Sequence, residues 1–231
     1  MPRSCGKVIA PGHSATRYTS YMAVGHNDSY LDPYRASLKR YGTDFPITQW
    51  ASKRSQLARF QVMKEMCFLP GKRILDAGCS RGDFAAFLLE HNVAFASYTG
   101  VDALPEAIIY ARSRNLPRCT FHEGDFLVDP ALLSLNNPQV ITMSGTLNTM
   151  TDEQVYATLE AAWQATSQIL IFNFLSDRAD RQAPPQGHPV RRFNTLALLD
   201  WAFRHTAIVA LRQDYFRTGH DATIMMRKKT G

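Results

Sequence analysis

The segment Arg73-Ile-Leu-Asp-Ala-Gly-Cys-Ser-Arg-Gly-Asp83 places the tightest constraint on what this chain can fold into. A short apolar run ends in a carboxylate, passes through small residues and enters a helical pattern. That order describes a buried strand turning sharply into a helix. Open parallel sheets bind ligands just outside the carboxyl ends of their strands, where strand order reverses. Glycines there let the backbone approach a ligand with no Cβ in the way. The helix N-terminus that follows favours an anionic group. The loop offers only Gly78 and Gly82, so the Gly-x-Gly-x-x-Gly fingerprint of nicotinamide dinucleotide sites is absent.

The same alternation continues along the chain. Apolar runs predict strands at Arg73–Ala77, Tyr98–Asp102, Cys119–Glu123, Val140–Ser144 and Gln168–Phe174. Helical patterns lie between them at about Asp83–His91, Pro105–Arg114 and Thr151–Thr166. The last opens on Thr151-Asp-Glu-Gln154, a capping box that sets its first turn. Strands joined by crossover helices form a parallel sheet covered on both faces. Upstream, about Thr48 to Phe68 reads as a helix, with Trp50, Leu57, Phe60, Met63 and Cys67 on one face and Pro70-Gly71 as its stop. Downstream, a helix near Asn194–His205 precedes two strand-like runs, Thr206–Phe216 and Ala222–Arg227. Joined through Arg217-Thr-Gly-His-Asp221, these read as an antiparallel hairpin. The expected fold is therefore α/β and Rossmann-like: a mostly parallel seven-stranded sheet, helices on both faces, and a C-terminal antiparallel hairpin.

Composition narrows the class. The 231 residues suffice for one such domain, here residues 45–231, after an N-terminal extension over 1–44 expected to be partly flexible. A hydrophobic fraction of 45% with 20% charged residues is ordinary for a globular protein. No apolar stretch approaches the roughly 20 residues of a membrane span, and the first residues hold no secretory apolar core, so a cytoplasmic protein without membrane contact is expected. Cys5, Cys67, Cys79 and Cys119 show neither CxxC nor Cys/His spacing, so no metal site is expected. The net charge of +6 is spread along the chain and points only weakly to nucleic acid.

Taken together, the motifs resemble those of class I S-adenosylmethionine-dependent methyltransferases. Ile74, Leu75, Asp76, Gly78, Cys79 and Gly82 match a first motif of the form hhDxGCGxG, with Ser80 in place of the middle glycine. A non-glycine residue there is strained if its φ is positive. Tyr98-Thr-Gly-Val-Asp102 is similar to the second motif, and Phe121-His-Glu-Gly-Asp-Phe126 to the third. Val140-Ile-Thr-Met-Ser-Gly145 resembles the fourth strand. The resemblance covers about residues 45 to 230.

It implies S-adenosylmethionine as cofactor, held by Asp76, Ala77, Gly78, Cys79, Ser80, Gly82, Asp102, Ala103, Asp125, Phe126 and Ser144. Asp102 would accept both ribose hydroxyls, for which a carboxylate has the paired acceptors. Asp125 would meet the adenine amino group, Phe126 would line its slot, and Ser144 would lie beside the transferred methyl. Each carboxylate also has a plainer reading as a helix cap or turn residue. Cys79 is a family-typical small residue and not a nucleophile. Arg59, on the helix before the first strand, is expected to pair with the cofactor carboxylate, or else to lie along the surface.

The acceptor is harder to read. Ser144-Gly-Thr-Leu147 is not the Asn/Asp-Pro-Pro-aromatic signature of amino-methylating enzymes, and no Pro-Cys pair supports cytosine chemistry. A small molecule ranks first, with an RNA or protein acceptor and a catalytically inactive cofactor-binding regulator as alternatives. Acceptor contacts are expected from Trp50, Asn148, Asn173 and His188, with Gln56 and Phe60 beside Trp50. Residues 176–193 are Pro- and Arg-rich and long for a connection. They could form a lid carrying His188, Arg191 and Arg192, or a surface loop. No general base is named, because methyl transfer to a thiolate, phenolate or neutral amine needs none. The oligomeric state is not legible.

Overall fold

A computed structural model describes residues 28–229; residues 1–27 of the expected extension lie outside the described residues. Five strands run parallel: β1 (Arg73–Ala77), β2 (Ser97–Asp102), β3 (Cys119–Glu123), β4 (Val140–Met143) and β5 (Ile169–Leu175). Two more, β6 (Val209–Arg212) and β7 (Asp221–Arg227), form an antiparallel hairpin, with β7 laid antiparallel on β5. The sheet order is β3-β2-β1-β4-β5-β7-β6. The chain turns from β3 back across β1 to β4, so strand order reverses between β1 and β4. There Asp76 sits between Gly100 of β2 and Thr142 of β4.

Alternation along each strand sends successive side chains to opposite faces. Leu75, Ala77, Ile141, Met143, Leu170 and Phe172 pack on one face beneath α5 (Asp152–Ala165) and α6 (Thr195–His205), through Val155, Leu159, Leu198 and Ala202. Ile74, Tyr98 and Ile171 pack on the other beneath α2 (Lys53–Met66), α3 (Asp83–Glu90) and α4 (Pro105–Ser113), through Phe60, Met63, Phe84, Leu88 and Ile108. Both faces are dry, which explains the near-continuous apolar runs of β1, β4 and β5. Each fully buried Leu, Ile or Phe contributes roughly 1.5–3 kcal/mol. The capping box at α5 is formed as its sequence implied: Gln154 N donates to Thr151 Oγ1 at 3.2 Å, and Thr151 N to Gln154 Oε1 at 3.0 Å.

Most strand bounds fall within a residue of expectation, and three larger differences stand out. The helix expected from Thr48 begins at Lys53, because Ser52 and Ser55 form a capping box and Gln49 adopts a left-handed φ of 58° after a 3-10 turn, Phe45–Thr48. Trp50 therefore stands before the helix. The first hairpin strand ends at Arg212, where the guanidinium turns back to Asp214 and Glu65 and bends the chain. The Gln213 amide then holds the turn through the Gly219 carbonyl at 2.7 Å. Finally, the segment after Asp28 is helical, a 3-10 turn Ser29–Leu31 running into α1 (Asp32–Tyr41), with Pro33 opening the helix. Tyr30 is buried in the same core cluster as Phe126 and Leu133. Among the described residues no helix is long and apolar enough to cross a membrane.

Candidate functional site

A cleft, partly open to solvent, lies over the reversal between β1 and β4. Its floor is the carboxyl edge of β1, β2 and β4, and α1, Thr48 and Trp50 close it from the side. Of the residues singled out from the sequence, Trp50, Gln56, Phe60, Asp76, Gly78, Cys79, Ser80, Asp102, Ala103, Phe126 and Ser144 line it.

Asp102, at the end of β2, is oriented on both oxygens by backbone. Ser80 N donates to Oδ2 at 2.8 Å and Leu104 N to Oδ1 at 3.0 Å. Each carboxylate oxygen keeps acceptor capacity beyond these bonds. Burial raises the Asp102 carboxyl above the usual range, and the two N–H groups pull it back. Asp76 is buried more deeply. The Tyr98 phenol donates to Oδ2, and the Thr142 hydroxyl to Oδ1 at 2.9 Å. Burial is the largest influence and pushes this carboxyl up to about 6.

The turn between β1 and α3 is held close to its neighbours. Gly78 N and Cys79 N both donate to the Val101 carbonyl, at 2.8 and 3.1 Å. Gly78 has a φ of 81°, and a Cβ there would lie 2.5 Å from Thr146 Oγ1. Ser80 carries the positive φ its sequence position threatened, 45°. Burial pushes the Cys79 thiol well up, consistent with an inert small residue.

Several expected contacts lie outside the cleft. Ala77 is buried in β1, with its carbonyl accepting the Thr146 hydroxyl at 2.7 Å. Gly82 starts α3 with a φ of 71°, packed against the Phe121 ring. Asp125 closes its own turn through Leu127 N at 2.8 Å and bonds the Tyr30 phenol. Asn148 is buried and accepts from Leu175 N at 3.1 Å, joining the loop after β4 to β5. Asn173 is fully buried, and its Oδ1 accepts from Gly145 N at 2.7 Å. Both amides hold backbone behind the cleft. His188 is exposed within residues 176–193, which are fastened to the hairpin turn. Asp180 N donates to the Thr218 carbonyl at 2.8 Å, and Arg192 reaches the Ser176 and His220 carbonyls, each at 3.1 Å. Arg191 pairs with Asp152 and stacks over Phe193.

Arg59 requires a correction. Its guanidinium is buried and faces away from any cofactor role: Nε donates to Asp221 Oδ1 at 3.0 Å, Nη2 to Oδ2, and Nη1 to the Ser55 carbonyl at 2.7 Å. Three of its five N–H donors are bound to the protein itself, and the buried group does not line the cleft where a cofactor carboxylate would lie.

Other cleft residues escaped the sequence reading. Tyr30 and Tyr34 come from the supposed extension, one helical turn apart, a spacing that puts them on one face. The Tyr34 hydroxyl approaches the Gly145 carbonyl at 3.4 Å, and burial pushes it up to about 12. Asp83 also lines the cleft, paired with Arg114 at 2.8 Å and approached by the Gln56 amide at 3.4 Å.

The fold and cleft define a Rossmann-like α/β domain with a candidate ligand site at its strand reversal. Residues 74–168 match the family described as "Methyltransferase domain". The matched segment runs from β1 to the edge of β5 and includes the strand reversal under the cleft, and the fold around it is that of Rossmann-like methyltransferases. Similar solved structures include an O-methyltransferase family protein from Burkholderia thailandensis, 15% identical, covering 88% of this chain and 64% of that one, with a TM-score of 0.67. Magnesium protoporphyrin IX methyltransferase from Synechocystis PCC 6803, with bound S-adenosylmethionine, is 13% identical over 90% of this chain and 100% of that one, TM-score 0.63. The small RNA methyltransferase HEN1 is 14% identical over 77% of this chain and 25% of that one, TM-score 0.60. At such identities the likeness is one of fold, and these proteins act on different acceptors. A search of the curated proteins finds no significant sequence match.

Proposed function

We propose that this protein transfers the methyl group of S-adenosylmethionine to a small-molecule acceptor bound under Tyr30, Tyr34 and Trp50. The observation that carries the cofactor part is Asp102. Its two oxygens are fixed by the Ser80 and Leu104 N–H groups at the cleft edge, and a carboxylate with both oxygens so oriented suits a vicinal diol.

With the ribose at Asp102, the adenine would extend toward Phe126, which follows β3, and the aminoacyl end toward Asp76 and the β1 turn. Asp76 would then face the ammonium group. Gly78 leaves space where the turn passes Thr146, and a Cβ would fill that space. Ser144 and Gly145, after β4, would lie near the methyl-transfer point. The bound cofactor supplies an electrophilic methyl on a sulfonium. The residues of the chain bind, orient and exclude water, and a well-oriented pair of reactants can gain roughly 7–11 kcal/mol from proximity alone.

A small acceptor is supported by the enclosure of the site. Three aromatic rings, those of Tyr30, Tyr34 and Trp50, line the cleft, and the last two reach Gly145, which favours an acceptor small enough to lie beneath them. The test is methyl incorporation from radiolabelled S-adenosylmethionine into fractionated cell extract. Label in the low-molecular-weight fraction supports this reading. Label only in RNA or protein overturns the small-molecule assignment, and the absence of turnover in every fraction overturns the enzymatic one.

A further inference from the structure

We infer that Arg59 is a positioning residue: clamped by Asp221, its guanidinium holds the Trp50 indole against Gly145 and so fixes the acceptor-side wall of the methyl-transfer pocket. This rests on the function proposed above, since it takes the Gly145 end of the cleft as the methyl end.

Four separate parts of the chain meet at this cluster. Arg59 comes from α2, Asp221 from the first position of β7, Trp50 from the loop before α2, and Phe216 from the hairpin turn. The Arg59 and Asp221 side chains are 5% and 0% exposed, so the pair is removed from water. The carboxylate takes Nε and Nη2 in a fork, and the Ser55 carbonyl takes Nη1. With its edges tied down, the flat guanidinium presents its faces to two rings. Its carbon lies 4.2 Å from the Trp50 ring centroid and 4.7 Å from that of Phe216. Cations at such distances from aromatic faces are attracted, most strongly to tryptophan and when desolvated. A lysine could satisfy the charge of Asp221 but could not fork and stack at once.

What the stack holds is functional space. Trp50 lines the cleft, and its ring edge lies so close to Gly145 that a Cβ there would run into Cζ2. Gly145 has a φ of 75° and is held from behind by Asn173 through its N–H. The residue beside the proposed methyl end is thus pressed between a buried amide and the indole, and the indole is braced by Arg59. Because Asp221 opens β7 opposite Leu175 of β5, the C-terminal hairpin is the anchor of this wall. The cofactor side, built on Asp76, Ser80 and Asp102, shares none of these contacts.

The test combines fluorine NMR of protein labelled with 5-fluorotryptophan and calorimetry with S-adenosylhomocysteine. The chain has three tryptophans, and a Trp50→Phe variant identifies the Trp50 resonance. Removing one partner alone would leave a buried unpaired charge, so the main variant is Arg59→Met/Asp221→Leu, which replaces the pair by apolar groups. Arg59→Lys is the second variant, in case the first does not fold. The expected result is that the Trp50 resonance moves or broadens, those of Trp163 and Trp201 stay, and affinity for S-adenosylhomocysteine remains within about threefold. A Trp50 resonance that is unmoved in a folded variant overturns the proposal. So does an unmoved resonance with affinity lost more than tenfold, which would make Arg59 a cofactor ligand. Failure of the wild-type protein to bind S-adenosylhomocysteine would overturn the proposed function, while the Trp50 response would still decide the role of Arg59.

Discussion

The Ser80 amide donates to Asp102 Oδ2 at 2.8 Å, so the turn after β1 orients the carboxylate that ends β2. Ser80 makes this bond from a φ of 45°, a region that non-glycine residues occupy at a cost. The strain and the carboxylate geometry are two sides of one arrangement.

Replacing Ser80 tests that arrangement. Ser80→Val puts a β-branched residue at positive φ, where such side chains are genuine outliers, and should destabilise by roughly 1–3 kcal/mol. Ser80→Gly removes the strain but widens the unfolded ensemble, so stability should change by less than about 1 kcal/mol. Urea unfolding of the two variants measures both. Equal stability of Ser80→Val and wild type would contradict the strained turn.

Asp76 gives a pH dependence with a definite sign. Its folded-state value of about 6 lies above the unfolded value, so the unfolded chain ionises first as pH rises. Its contribution therefore favours the folded state most below about pH 4 and is lost as pH climbs to about 6. Asp76→Asn removes that slope, a difference of about 3 kcal/mol across the window. The free energy of unfolding measured from pH 4 to 7 in both proteins checks the slope. If Asp76 faces the cofactor ammonium, its ionised form binds better, and affinity for S-adenosylhomocysteine should rise between pH 5 and 7. A profile that Asp76→Asn leaves unaltered would contradict the contact.

The long segment after β5 should behave as a fastened strap. Arg192 reaches the carbonyls of Ser176, His220 and Pro184, the last at 2.9 Å. Arg192→Ala should cost about 1–3 kcal/mol, the scale of hydrogen bonds to a charged group. It should also speed proteolytic cleavage within residues 176–193, with cofactor affinity unchanged, since Arg192 does not line the cleft. Cleavage at the wild-type rate would contradict the fastening.

The architecture was legible in the sequence because it rests on local patterns. Strands buried on both faces read as apolar runs, and β1 and β3 have the bounds those runs implied. The capping box of α5 and the hairpin were likewise written in neighbouring residues. The floor of the cleft was legible for a similar reason: Asp76, Ser80 and Asp102 lie at strand ends or in the turn just after one. The wall around Trp50 was not, because its contacts cross long separations. Arg59 and Asp221 stand 162 positions apart, and nothing local to Arg59 reveals that its guanidinium is already paired. Tyr30 and Tyr34 lie upstream of the strand–helix alternation, and what brings them over the cleft is contact with distant parts of the chain, such as Tyr34 with Gly145, 111 positions away. Asn148 and Asn173 were read as facing the acceptor. Their amides instead satisfy buried backbone groups of Leu175 and Gly145, a demand that only the folded sheet creates.

The most direct measurement is calorimetric titration of S-adenosylhomocysteine into the wild-type protein and into Asp102→Ala. Wild type should bind with one site per chain, and the variant, still folded, should bind more weakly by about 1.5–3 kcal/mol, roughly tenfold to a hundredfold. Equal affinities, or a wild-type protein that takes up no ligand, would contradict the ribose contact on which the reading of this cleft is built.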